Sequence, residues 1–407
     1  MIRKCAIFTF VGLLLPLISS AALAQEQWLQ YRTSTGVQQD LAGVNWLSLA
    51  VSYNKPAGVG LPKFECDKPA FAQWRSPRVK GGGLWIALDR QHKLGPYDRL
   101  YIDSNCDGSL ADEQPSAATR TAENYAEFGP VRIALAGEDG PTTHHLSFFL
   151  SVTRMVFLTE GMADSERMNL YAASSGWYEG SVTVNGKKWL CRVTDENGNG
   201  TFNDTGLYPS QIDRISVARA AGDSSEKPNF ETGYVGKYIE LDGALYQLEV
   251  PREGDCVKFT PAGDVPMAAM RISPDVSKVT IVGENGGFNV RVAKGEGKAP
   301  VGKYTLVQWQ VERKDAGGAS WQLTGGQSPA PVDLAAGGDT ALAVGEPVTA
   351  TIQSAKNGDV FYVTQSLAGH LGESITLTCN GQLPPAPKLH VTNADKSYDQ
   401  SFTFQYG

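Results

Sequence analysis

Two ten-residue segments of the chain carry oxygen-bearing side chains in the same register. The first is Asp103-Ser104-Asn105-Cys106-Asp107-Gly108-Ser109-Leu110-Ala111-Asp112, and the second is Asp195-Glu196-Asn197-Gly198-Asn199-Gly200-Thr201-Phe202-Asn203-Asp204. Positions one, three, five and ten of both offer carboxylate or amide oxygens, position six is glycine and position eight is large and apolar. A hard divalent cation such as calcium collects about six to eight oxygens. Alternate residues of a tightly curled loop can supply them if glycine permits the turn at position six. Ser109 and Thr201, at position seven, complete the two sets. Leu110 and Phe202 would face away from the ion and pin each loop to a core.

The pattern resembles the calcium loops of EF-hand and dockerin-type proteins, and departs from the EF-hand in two respects. The bidentate Glu expected at position twelve is replaced by Gln114 in the first loop and Gly206 in the second, so another group must close the shell. Asp112 and Asp204 are the candidates, with Glu113 as an additional ligand in the first loop only. The flanks Leu100-Tyr101-Ile102 and Trp189-Leu190-Cys191-Arg192-Val193 are β-branched or aromatic and read as strands, not helices. The resemblance therefore implies Ca2+ held in strand-loop sites. By charge, the first loop offers Asp103, Asp107, Asp112 and Glu113. The second offers only Asp195 and Asp204 beside Asn197 and Asn199, and is expected to bind more weakly. The competing reading of each segment is a plain Asn-Gly or Asp-Gly turn.

Arg3 and Lys4 precede an apolar run from Ala6 to about Leu17, and Ala22-Leu23-Ala24 precedes Gln25. This reads as a signal peptide over 1–24, cut after Ala24, and implies a periplasmic or secreted product. The run is too short for a membrane-spanning helix, and no later stretch supplies the roughly 18 apolar residues that one requires, so no transmembrane anchor is expected. Taking Arg3 and Lys4 from the 36 basic side chains leaves 34 against 43 acidic ones, a formal charge of −9. That balance gives no electrostatic reason to bind nucleic acid. Cys66, Cys106, Cys191, Cys256 and Cys379 follow the leader without a C-x-x-C pair, which disfavours zinc. A bridge between Cys66 and Cys106 would tether the first loop, whereas Cys191 reads as a small buried apolar residue.

The positioning elements are expected to be mainly β. Residues 25–262 read as a β-rich region carrying both loops, 103–112 and 195–204, with the option of two related halves. Strands are expected over Gly83–Leu88, up to Ile102, and over Val131–Leu135 and His145–Leu150, with a short helix near Ala122–Glu127. Val182 and Val184 alternate before Asn185-Gly186, and Trp189, Cys191 and Val193 return, which is a type I′ hairpin running straight into the second loop. A second hairpin turns at Asp242-Gly243. Residues 263–407 show short strands separated by Gly, Pro and Asn, and predict an immunoglobulin-like β-sandwich. Pro300-Val301-Gly302-Lys303-Tyr304 resembles the start of a strand in immunoglobulin-like and carboxypeptidase-regulatory-like modules. Taken whole, the chain resembles exported bacterial proteins that join such loops to a C-terminal sandwich, a likeness that supplies no activity.

No H-E-x-x-H, G-x-S-x-G, Walker or strand-linked G-x-G-x-x-G motif is present, and no catalytic residue stands out, so a non-enzymatic role is favoured. The pair His144-His145 would point to opposite faces of a strand and reads as a surface pair. Of eight tryptophans, Trp85, Trp189, Trp309 and Trp321 fall in strand patterns, leaving Trp28, Trp46, Trp74 and Trp177 as candidates for stacking on sugars. The expectation is thus an exported calcium-binding protein with structural ions and protein or glycan partners at the cell envelope. The alternative is a glycan-binding module or glycan hydrolase with structural calcium.

Overall fold

A computed structural model describes residues 25–35, 45–93, 95–155, 165–220, 228–328 and 330–406. Residues 1–24, where the signal peptide is expected, lie outside them. The described residues form 31 strands and one 3-10 turn, Pro209–Gln211, and the fold is mainly β. Among the described residues no helix is long and apolar enough to cross a membrane.

Three cores organise the strands. In the first, a four-stranded antiparallel sheet (Ala70–Arg75, Gly83–Asp89, Arg99–Ile102, Ser116–Ala117) shares its apolar interior with a five-stranded one. The latter runs in the order Leu47–Leu49, Ser165–Ser174, Thr142–Met155, Tyr125–Leu135, Arg120–Ala122. Leu84, Ile86 and Leu88 alternate inward from one sheet and Leu146, Phe148 and Leu150 from the other, as the two-residue period of a strand requires. The expected helix near 122–127 is instead a hairpin: Arg120–Ala122 pairs with Tyr125–Glu127 across Glu123-Asn124. Ala126 and Phe128 are both buried, so burial at every second residue overrides the helical propensity of the Ala and Glu.

The second core also combines a five-stranded and a four-stranded sheet. The five-stranded sheet has the order Glu231–Tyr234, Arg214–Arg219, Lys187–Thr194, Gly176–Val184, Gln30–Thr33, and the other has the order Gln27–Trp28, Cys256–Pro261, Ala244–Glu249, Tyr238–Leu241. The segment Gln27–Thr33 pairs with residues 256–257 and 176–179, so the chain enters the second core before it builds the first. The two cores are therefore not successive halves of the sequence. Both hairpin turns lie as expected, with positive φ at Asn185 and Gly186 and at Asp242 and Gly243. Val182, Val184, Trp189, Cys191 and Val193 are all buried, and Cys191 is fully enclosed.

The third core lies between a three-stranded sheet (Glu296–Pro300, Met267–Arg271, Asp339–Ala341) and a six-stranded sheet built around Val276–Gly283 and Gly302–Lys314. Tyr304 is buried here, and its hydroxyl donates to the Pro300 carbonyl at 2.9 Å, closing the Pro300–Tyr304 segment. Two further hairpins, Thr349–Asn357 with Val360–Ala368 and Lys388–Thr392 with Asp399–Thr403, add nothing to that core. They leave Ile352, Phe361, Tyr362 and Phe402 exposed.

Candidate metal centre

The two loops fold alike in detail. In the first, the Asp107 and Gly108 N–H groups donate to the two Asp103 carboxylate oxygens at 3.0 and 2.9 Å. In the second, Asn199 and Gly200 N–H donate to Asp195 at 3.1 and 2.8 Å. The position-three Oδ1 accepts the position-five N–H in both (Asn105 from Asp107, 3.0 Å; Asn197 from Asn199, 3.2 Å), and position five accepts from position seven (2.8 Å in each). The position-three amide then donates to the position-ten carboxylate, Asn105 to Asp112 at 3.2 Å and Asn197 to Asp204 at 3.0 Å. Positive φ at Gly108 and Gly200 turns each chain back. Side chains one, three, five and ten thus curl towards one another in both copies.

Leu110 and Phe202 are buried, as the spacing requires. Leu110 packs beside Phe71, Ala87 and Tyr101, whereas Phe202 enters the second core. Glu113 does not join its loop's ring: its oxygens accept from the Ser104 N–H at 2.6 Å and the Ser104 hydroxyl at 2.9 and 3.1 Å. Asp103 is buried, and that burial holds its carboxyl above the usual range despite the two N–H donors.

The second loop has a carboxylate that its own spacing does not reveal. Asp213 follows the 3-10 turn Pro209–Gln211, which returns the chain to the loop. Its oxygens accept the Glu196 and Asp204 N–H groups at 3.1 and 2.8 Å. Asp204 Oδ2 collects Asn197 Nδ2, Asn199 Nδ2 at 2.8 Å and the Thr201 hydroxyl. Burial pushes Asp195 up to about 7, against the N–H donors of Gly200 and Asn199, and the Asp204 charge pushes the same way. Burial, then the charges of Asp195 and Asp204, raise Asp213 well above the carboxylate range. Here three carboxylates repel one another out of water.

His144, expected at the surface, is 1% exposed and lies between Trp74 and Phe202, with ring centroids at 6.1 and 6.0 Å. The period-two alternation does send the adjacent histidine elsewhere, since His145 Nδ1 meets the Tyr31 hydroxyl at 3.1 Å. His144 shares its strand face with Leu146, Phe148 and Leu150, so it continues the first core, at the end that Phe202 and the second loop close over, which is why it is buried. Its Nε2 stands 3.5 Å from Asp195 Oδ2, and neither ring nitrogen has a hydrogen-bond partner among the described residues. Burial lowers His144 to about 3, keeping it neutral.

The donor set suits a hard cation: carboxylates, amide oxygens and a hydroxyl, with buried negative charge uncompensated at the second loop. Among the described residues, no three His, Cys, Asp or Glu side chains gather closely enough to hold a metal ion alone. Asn105, Asn197, Asn199, Thr201, Ser109 and main-chain carbonyls would have to share the coordination. Cys66 and Cys106 are unbridged; the Cys106 thiol donates to the Ala134 carbonyl at 3.0 Å and ties the first loop to the neighbouring strand without a disulfide. Among the four tryptophans considered for sugar stacking, Trp74 and Trp177 are buried in strands, and Trp28 is open at 65% exposure. Compared with protein-family models, curated proteins and solved structures, the chain matches none.

The two position-six glycines differ in their surroundings. A Cβ on Gly108 would meet nothing within 4 Å, while one on Gly200 would lie 2.7 Å from Leu135 Cδ1 and 3.0 Å from Trp74. Gly108→Ala is expected to cost about 1–2 kcal/mol for its left-handed backbone, and Gly200→Ala at least ~2 kcal/mol more for the added overlap. Urea melts of both variants check this, and equal losses would contradict the packing of the second loop.

Proposed function

We propose that the chain is an exported calcium-binding protein, its ions structural, with a scaffold or interaction role at the cell envelope. The observation that carries this reading is the repetition, in two loops of different sequence, of one hydrogen-bond pattern that turns oxygens one, three, five and ten inward. A plain β-turn has no reason to bring the tenth residue back to the third. Uncompensated buried carboxylates at the second loop add to the case, because a bound cation removes their repulsion and satisfies their lone pairs. The leader over 1–24 supports export into a compartment where calcium is abundant, and the exposed C-terminal hairpins offer apolar surface for contacts there.

The charge count alone no longer orders the sites. Glu113 is held by Ser104, while Asp213, itself held by the Glu196 and Asp204 N–H groups, adds a third carboxylate around Asp195 and Asp204 without joining their ring. The second loop is more enclosed, and on this reading binds calcium at least as tightly as the first. Calorimetric titration of calcium into metal-stripped mature protein is expected to show two sites, with Asp112→Asn removing the first and sparing the second. No heat at millimolar calcium would reduce both loops to turns.

A further inference from the structure

We infer that the second loop is a composite cation site completed by the first core, with Trp74, Arg78 and His144 as its positioning residues, so that cation binding and the joining of the first two cores are linked. The inference rests on the calcium reading above and adds to it a part of the chain that lies outside the loop pattern.

Three side chains of the first core reach the loop. The Trp74 indole Nε1 donates to the Gly198 carbonyl at 2.6 Å, although Trp74 belongs to the strand Ala70–Arg75, far away in sequence. The buried Arg78 donates through Nη1 to the Gly200 carbonyl at 2.9 Å, through Nε to the Ala136 carbonyl at 2.9 Å and through Nη2 to the Thr142 hydroxyl. It stands 3.9 Å from Glu253 of the second core. His144, the third, aims an unpartnered Nε2 at Asp195. A buried polar nitrogen without a partner is costly, and an ionised Asp195 drawn into coordination would give it one.

The backbone curl that presents Asn197, Asn199 and Thr201 is therefore fixed from outside at Gly198 and Gly200. From the other side, Phe202 is seated in the second core, and its N–H donates to the Arg252 carbonyl at 3.0 Å. Among the described residues loop one shows no such bridge: its ties, to Gly60, Trp85 and Ala134, stay within the first unit. Linkage is reciprocal, so whatever the first core contributes to the cation, the cation contributes to the contact between cores.

Two measurements test this. Calcium titration of the mature chain carrying Asp112→Asn reads the second site alone, and adding Trp74→Phe, which keeps an aromatic ring and deletes the donor, is expected to weaken calcium about tenfold. The first site, read in an Asp204→Asn background, should be unaffected by Trp74→Phe. His144→Leu should also weaken the second site, with His144→Gln, which retains a donor, restoring part of the loss. Independently, hydrogen exchange on the unaltered chain should show calcium protecting amides 76–82 and 144–146 of the first core as well as 195–204, and Asp204→Asn should remove that protection. Unchanged second-site affinity in Trp74→Phe, or protection confined to 195–204, would overturn the composite site while leaving calcium binding intact. Absence of second-site binding in the unaltered loop would overturn the calcium reading itself, and this inference with it.

Discussion

Asp204→Asn is expected to leave the melting temperature in chelator unchanged or raised, and to remove most of the stabilisation that calcium gives through the second loop. The reason lies in how Asp204 is used. One of its oxygens gathers Asn197, Asn199 and Thr201; the amide oxygen of asparagine can keep the two amide donors, and the Thr201 hydroxyl has Asn199 Oδ1 at 2.7 Å as its other acceptor. What the substitution removes is charge. Without a cation that charge is unfavourable, since it helps push Asp195 and Asp213 upward. With a cation it is a ligand. For a site of extracellular-type affinity held at about a hundredfold excess of calcium, binding contributes about 2.7 kcal/mol, or roughly 5–10 °C in melting temperature. Scanning calorimetry in the two conditions separates the roles: equal losses in chelator and calcium would mark Asp204 as an ordinary packing residue and not a ligand.

The loop register was readable because position in a tight curl determines which way a side chain points. Alternation at one, three and five, glycine at six and an apolar eighth residue carry their meaning without tertiary context, and Leu110 and Phe202 are buried accordingly. The hairpins at Asn185-Gly186 and Asp242-Gly243 were readable for the same local reason, since both residues of a type I′ turn need positive φ. Most of the strand pattern followed from the burial of alternate residues.

What was not readable depends on which sheet face meets which core. His144 and His145 alternate as expected, but nothing local says that the His144 end of the first-core face is closed by Phe202 and Asp195 of the second loop. Trp74 and Trp177 sit next to turns in sequence and are nonetheless buried: the second loop closes over Trp74, and the Arg192 guanidinium lies over the Trp177 ring. Asp213 carries no motif; only the return of the chain through Pro209–Gln211 brings it to Asp204. Glu113 shows the converse. Its charge and position suit a ligand, yet Ser104, closer and with two donors, takes it. Nor does the sequence show that the first core is inserted into the second, because the short strands of Gln27–Thr33 have no local mark of their distant partners.

Metal-free protein is expected to melt at a higher temperature at pH 5 than at pH 7.5, and calcium should narrow that difference. Burial raises Asp195 and Glu196 each to about 7, Glu196 despite Arg214 at 2.6 Å, and raises Asp213 further in the same direction. Unfolded, these carboxyls titrate near 4. Between pH ~4 and ~7 the folded metal-free chain therefore holds protons on them that the unfolded chain has released. Stability falls as pH rises through that window, by up to ~1.4 kcal/mol per pH unit for each net proton. Two imidazoles oppose the trend: His144, lowered to about 3, and His145, lowered by burial, both take up protons only on unfolding below about pH 6.5. Three raised carboxyls at the second loop, with Asp103 raised at the first, outweigh them. Carboxylates held low, such as Asp89, act below about pH 4 and leave the window untouched. Calcium requires Asp195 ionised, so binding expels protons below pH ~7 and its contribution to the melting temperature should be large at pH 7.5 and small at pH 5. Scanning calorimetry on dialysed protein at the two pH values, with and without calcium, decides it. A metal-free melt that rises from pH 5 to pH 7.5 would mean that the carboxylates around the second loop are already compensated within the fold, and that a cation has no uncompensated charge there to relieve.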